Sequence, residues 1–205
     1  MTVNSPNFES GAISIIGILP LLAKSTSLVT AFGIGSAFVI VALLSAITIS
    51  CCRRLITKDM LLPIALIVSA TWVIVVDRFM HASFYELRQI YEFYIPLLAV
   101  NASLLVFMQK NAISLSPLST LKAMSGPLSL MMSLLFMTAG LRELLAPGPL
   151  FNDVGLILQS VNGPGIGRQS GLGVFALAPG AFISLALVLA AVKIFFSQKD
   201  GATIE

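Results

Sequence analysis

Five residues of this chain carry side chains able to bind an ion or a water molecule inside otherwise apolar surroundings: Lys24, Ser25, Thr26, Asn101 and Ser103. They fall in two stretches that nearly repeat each other. Leu19-Pro20-Leu21-Leu22-Ala23-Lys24-Ser25-Thr26-Ser27-Leu28 recurs as Ile95-Pro96-Leu97-Leu98-Ala99-Val100-Asn101-Ala102-Ser103-Leu104, with six of the ten aligned positions identical. In each copy a proline enters an apolar segment and small polar groups then interrupt it. Irregular backbone does not face lipid, because unsatisfied amides are too costly there, so both interruptions must be buried in protein or line a cavity. The functional reading is a polar or ion-binding centre near the membrane midplane. The plainer reading is that these groups satisfy backbone freed by the breaks. For Lys24 the alternative to a buried charge is an apolar stem that snorkels its ammonium to water.

Other reactive side chains offer less. Cys51 and Cys52 are adjacent, which is neither a disulfide framework nor a spaced metal motif, and they read as small apolar residues at a membrane boundary. A single imidazole, His81, makes no metal site. Met131, Met132 and Met137 read as helix packing. Gly163-Pro164-Gly165-Ile166-Gly167 lacks the preceding strand and the spacing of a phosphate loop, and its proline removes an amide such a loop needs. Asp77-Arg78 and Arg142-Glu143 read as charge pairs at the membrane surface, of little weight for stability. No catalytic carboxylate pair, triad or nucleotide motif is present, so enzymatic turnover would belong to partners.

The elements that must position these residues follow from composition. The chain is 57% hydrophobic and 10% charged over 205 residues, with a mean hydropathy of +0.98, which is the class of a polytopic membrane protein. A net charge of +3 is too small to suggest nucleic acid. The start, Met1 to Ser10, lacks the basic region of a signal peptide. The expected spans are Gly11–Ala23, too short to cross; Leu28–Cys52; Met60–Val76; Phe93–Met108, interrupted; Met124–Leu145; and Leu172–Phe196. Between them His81–Glu92 reads as an interfacial amphipathic helix, Lys110–Lys122 as a loop, and Pro147–Gly173 as the longest polar connection.

The order of these spans repeats as well. After the first copy come an apolar span, Arg53-Arg54, and a span entered at Leu62-Pro63-Ile64; after the second come an apolar span, Arg142-Glu143, and a span entered at Ala178-Pro179-Gly180. Three spans repeated once leave the halves upside down to each other. The expected fold is therefore an all-α membrane protein, one domain over residues 1–205, with six transmembrane helices in an inverted repeat of three plus three. Repeat one covers about 11–80 and repeat two about 92–196, the first and fourth helices being interrupted or half-spanning. Seven basic residues (Arg53, Arg54, Lys58, Lys110, Lys122, Lys193, Lys199) against four (Arg78, Arg88, Arg142, Arg168) put both termini in the cytoplasm.

The chain resembles the paired membrane subunits shared by the Rnf complexes and the sodium-pumping NADH:quinone oxidoreductases. The matching runs are Gly17-Ile18-Leu19-Pro20-Leu21-Leu22-Ala23, Ala31-Phe32-Gly33-Ile34-Gly35, Tyr94-Ile95-Pro96-Leu97 with Asn101, Leu141-Arg142-Glu143 followed by Gly148-Pro149-Leu150-Phe151, and Pro179-Gly180-Ala181-Phe182. They keep the family's order over nearly the whole chain. The resemblance implies a subunit of an electron-transport complex of the bacterial inner membrane that couples redox chemistry to Na+ or H+ movement. It also implies an iron-sulfur cluster near the midplane, shared with a homologous six-helix partner subunit and held by cysteines at the ends of the half-helices.

Here the sequence departs from the family. Leu19 and Ala102 stand where those cysteines belong, and neither can ligate iron. The family's Gly-Arg-Ala-Glu is replaced by Val106-Phe107-Met108-Gln109. Membership in a complex is carried over, and the ligands are not. A small inverted-repeat transporter or channel-like protein that lost the redox role, or a scaffold that only preserves a complex's shape, are the competing readings.

Overall fold

A computed structural model describes residues 17–57, 59–112, 114–146 and 173–201, with side chains as far as residue 194. Every regular element among them is helical. The described part of α1 is residues 17–22. It is followed by α2 (Leu28–Cys52), α3 (Leu61–Ser83), α4 (Tyr85–Ile90), α5 (Tyr94–Leu97), α6 (Ala102–Phe107), α7 (Pro117–Leu145) and α8 (Ala178–Gly201). Among the described residues α2, α3 and α7 are long and apolar enough to cross a membrane, and the apolar part of α8, Ala178–Ile194, is shorter. The protein is thus a multi-pass membrane protein.

The second expected span agrees with α2 to the residue. Ser27 explains its start: the Ser27 hydroxyl accepts from the Thr30 amide while the Thr30 hydroxyl accepts from the Ser27 amide. This reciprocal cap satisfies two amides that a helix start leaves free. Other expected boundaries move, among them the last span, which is Ala178–Gly201 rather than Leu172–Phe196 because a 3-10 turn, Gly173–Ala176, precedes it. α3 continues through Asp77-Arg78 to Ser83, and the short helix after it is Tyr85–Ile90 rather than His81–Glu92. Asp77 does not end the helix because its carboxylate accepts from Arg88 of α4, at 3.0 Å. That hydrogen bond holds the Arg88 guanidinium above its ordinary pKa. α7 begins at Pro117 inside the expected Lys110–Lys122 loop, because Ser116 caps it and proline suits a first helical turn. Most of Pro147–Gly173, with its glycine-rich run, and residues 11–16 of Gly11–Ala23 lie outside the described residues.

α2 and α7 form the centre of the packing, with α3 against α2 and α8 against α7. The α2–α7 contact is close because Gly35 faces α7: a Cβ there would lie 3.0 Å from the Met132 sulfur and 3.1 Å from a Leu135 methyl. Met131 is buried and Met132 packs on the core, the packing role expected of them, whereas Met137 is exposed. Trp72 of α3 donates to the Thr48 hydroxyl of α2 at 3.0 Å. Tyr91, fully buried after α4, donates its hydroxyl to the Thr30 carbonyl. His81 is exposed on α3, its ring edge-on to Tyr85.

Candidate functional site

Both repeated stretches are breaks in helix. α1 stops at residue 22 and α2 starts at Leu28, with Lys24 to Ser27 between them. In the second copy α5 passes into a 3-10 turn, Leu98–Val100, and Asn101 is extended at φ −64°, ψ 119° before α6 begins. A break frees carbonyls on its N-terminal side and amides on its C-terminal side. Where those groups find partners defines the chemistry of each place.

The five candidate residues do not form one group. Asn101 and Ser103 come together at α1. The buried Asn101 amide nitrogen donates to the Gly17 carbonyl at 2.7 Å, while its oxygen accepts from the Ser103 amide at 3.1 Å and from the Ser103 hydroxyl at 2.7 Å. The contact is so close that a Cβ on Gly17 would lie 2.0 Å from the Ser103 oxygen and 2.3 Å from its Cβ. A glycine is therefore required where α1 crosses the second break. The freed Ala99 carbonyl is taken by the hydroxyl of Ser69 in α3, at 2.8 Å.

Ser25 belongs to the other place. Its hydroxyl donates to the Leu22 carbonyl at 3.1 Å, and both the Leu22 and Ser25 carbonyls accept from one nitrogen of Arg142, at 2.7 and 2.9 Å. The same guanidinium donates to Phe175 O at 3.1 Å and Leu177 O at 3.2 Å, ahead of α8. Arg142 is fully buried, so the surface pairing with Glu143 expected from the sequence is not what it does. Glu143 is half-buried and accepts instead from the Leu28 amide at 2.8 Å, at the first turn of α2. One dipeptide of α7 thus serves both sides of the first break: the cation takes carbonyls and the anion takes an amide, as the helix dipoles favour.

Lys24 and Thr26 are half-exposed, joined to each other by a backbone hydrogen bond from the Thr26 amide to the Lys24 carbonyl at 2.9 Å. The 25 residues of α2 rise about 37 Å, more than the ~30 Å of hydrocarbon in a bilayer. Its cap, Ser27, therefore stands at one end of a full span, and Lys24 beside it can keep its charge near water. Residues 17 and 22 lie about 7 Å apart along the axis of α1 at the helical rise per residue, so the Asn101 and Arg142 contacts sit at different points of that helix.

The residues at the breaks do not fit an iron-sulfur cluster. Leu19 is half-buried and Ala102 is exposed, and neither carries a donor atom. The polar atoms beside them, on Asn101 and Ser103, are hydrogen-bonded to each other and to α1, and clusters require thiolates or, less often, imidazoles. Cys51 and Cys52 are free and exposed at the far end of α2. Among the described residues no three His, Cys, Asp or Glu side chains gather as a metal site would need.

The roles of Arg142, Glu143, Ser69 and Gly17 were not singled out by sequence reasoning. The available signal was an arginine within the last turn of an apolar helix, where a surface position and a buried one look alike until the fold is known. Comparison with known proteins places the chain. The family described as "Rnf-Nqr subunit, membrane protein" matches residues 7–189. A Haemophilus ducreyi protein, named as the E-type subunit of an ion-translocating oxidoreductase complex, is 33% identical over 91% of this chain and 84% of its own length. Proteins of the same name from Cellvibrio japonicus and Pasteurella multocida are 35% and 32% identical, over 87% and 95% of this chain and 77% and 88% of their own lengths. The match covers nearly the whole chain, and the chain belongs to the Rnf-Nqr family of membrane subunits.

Proposed function

We propose that this chain is the E-type membrane subunit of an Rnf-type ion-translocating oxidoreductase complex, in which electron transfer drives Na+ or H+ across the bacterial inner membrane. The observation that carries the reading is a family match over residues 7–189, together with relatives of that name that align along nearly the whole chain. The arrangement of α2 with α3 and α7 with α8 around the α2–α7 contact fits a six-helix inverted repeat, and the excess of Lys and Arg in the segments assigned to one side favours both termini in the cytoplasm. The neighbours of this protein are lipid, a homologous six-helix subunit and the redox subunits of the complex.

Leu19 and Ala102 supply no ligands, so electrons do not pass through thiolates of this chain. Its contribution is to hold the broken helices in register. Asn101 and Ser103, with Gly17, form a polar contact between the two repeated stretches, and Lys24, Ser25 and Thr26 precede α2. A tagged copy purified in mild detergent is expected to bring down flavin-carrying or ferredoxin-like subunits and a second membrane subunit of similar size. A lone 21.8 kDa protein that moves solute in liposomes would refute complex membership and favour the transporter reading.

A further inference from the structure

Arg142 is a charged group with 0% of its surface exposed, and no acidic side chain among the described residues forms an ion pair with it. A buried charge without such compensation is costly unless other groups solvate it. Four backbone carbonyls do so here. Leu22 and Ser25 lie at the C-terminal end of α1, where the helix dipole is negative, and Phe175 and Leu177 lie in the turn before α8. Carbonyls at the ends of broken helices are also the groups with which membrane proteins coordinate free cations. Nothing about the oxygens requires the cation to be covalently attached.

We propose that the carbonyls of Leu22, Ser25, Phe175 and Leu177 form a cation seat, which Arg142 fills permanently as a tethered guanidinium. The occupied seat joins the first break, α7 and the entrance to α8 through one charge. It also keeps a free cation out of the end of α1, so ion movement through this protein does not use these oxygens. Arg142 is a positioning residue: it acts on the two segments whose carbonyls it holds.

The test is chemical rescue in the detergent-solubilised protein with whatever subunits co-purify. Arg142→Ala is expected to melt well below the wild type in choline chloride. Guanidinium chloride at millimolar concentration and equal ionic strength should recover several degrees of that loss, without raising the wild type. Urea, which has nearly the same planar shape and no charge, should recover none. Equal melting of Arg142→Ala in all three solutes overturns the proposal, as does equal recovery by urea and guanidinium. Should Arg142→Ala not be recovered folded, Arg142→Lys and Arg142→Gln decide. Lysine keeps the charge and glutamine keeps only neutral donors, so folded yield in membranes should be severalfold higher for lysine, and a glutamine yield equal or higher overturns the idea.

Discussion

Replacing Gly17 with alanine is the sharpest test of the contact between the two breaks. The added Cβ would lie 2.3 Å from the Ser103 Cβ and 2.0 Å from its oxygen. The hydroxyl can rotate away, but the Ser103 Cβ is fixed to the backbone of α6. Restoring an ordinary carbon–carbon separation needs a shift of about 1 Å between α1 and α6. The Asn101 amide reaches the Gly17 carbonyl at 2.7 Å, and a shift of that size stretches the bond past useful length. Overpacking costs about 1–3 kcal/mol, and stranding a buried hydrogen-bonding group about 1–3 kcal/mol more. At about 2–4 °C per kcal/mol for a chain of this size, the loss is roughly 5–20 °C in melting temperature.

Thermal unfolding in mild detergent, followed by the fluorescence of the single tryptophan, Trp72, measures it. Ser103→Gly removes both clashing atoms, leaving the Asn101 oxygen at 3.0 Å as the nearest neighbour of the new methyl. That change costs about 1 kcal/mol of helix propensity by itself, yet the double variant should melt above Gly17→Ala alone. A Gly17→Ala protein that melts with the wild type, or a double variant no better than the single, refutes the reasoning.

Two further outcomes are expected. Glu143→Ala strips the Leu28 amide of its acceptor and should destabilise by about 1 kcal/mol, while Glu143→Gln, which keeps a carbonyl oxygen in reach, should lose less; denaturant titration in detergent separates the two. Cys51 and Cys52 are exposed at the end of α2, so a thiol reagent should label both in the folded protein and Cys51→Ser with Cys52→Ser should leave the iron content of any purified complex unchanged; loss of stoichiometric iron on those substitutions would place a ligand there.

Composition alone made this a multi-pass membrane protein, because so apolar a chain has nowhere else to bury its side chains. The repeat around Pro20 and Pro96 located both breaks, since a proline followed by small polar residues withdraws amides from a helix and must be answered elsewhere. α2 could be read to the residue because its boundary signals, Ser27 and Thr30 at one end and Arg53-Arg54 at the other, act within a few residues of chain. The missing thiolates at Leu19 and Ala102 were equally plain, being a matter of side-chain identity. What answers each break was not legible. Arg142 lies 117 residues from Ser25, Asn101 lies 84 from Gly17, and Glu143 lies 115 from Leu28. Hydrogen bonds over such separations depend on which helices pack together and at what height, and no local pattern carries that information. The end of α3 moved for the same reason. Asp77 looks like a helix end in isolation, and its hydrogen bond from Arg88 of α4 lets the helix run on, whereas the start of α7 was written locally, in Ser116 and Pro117.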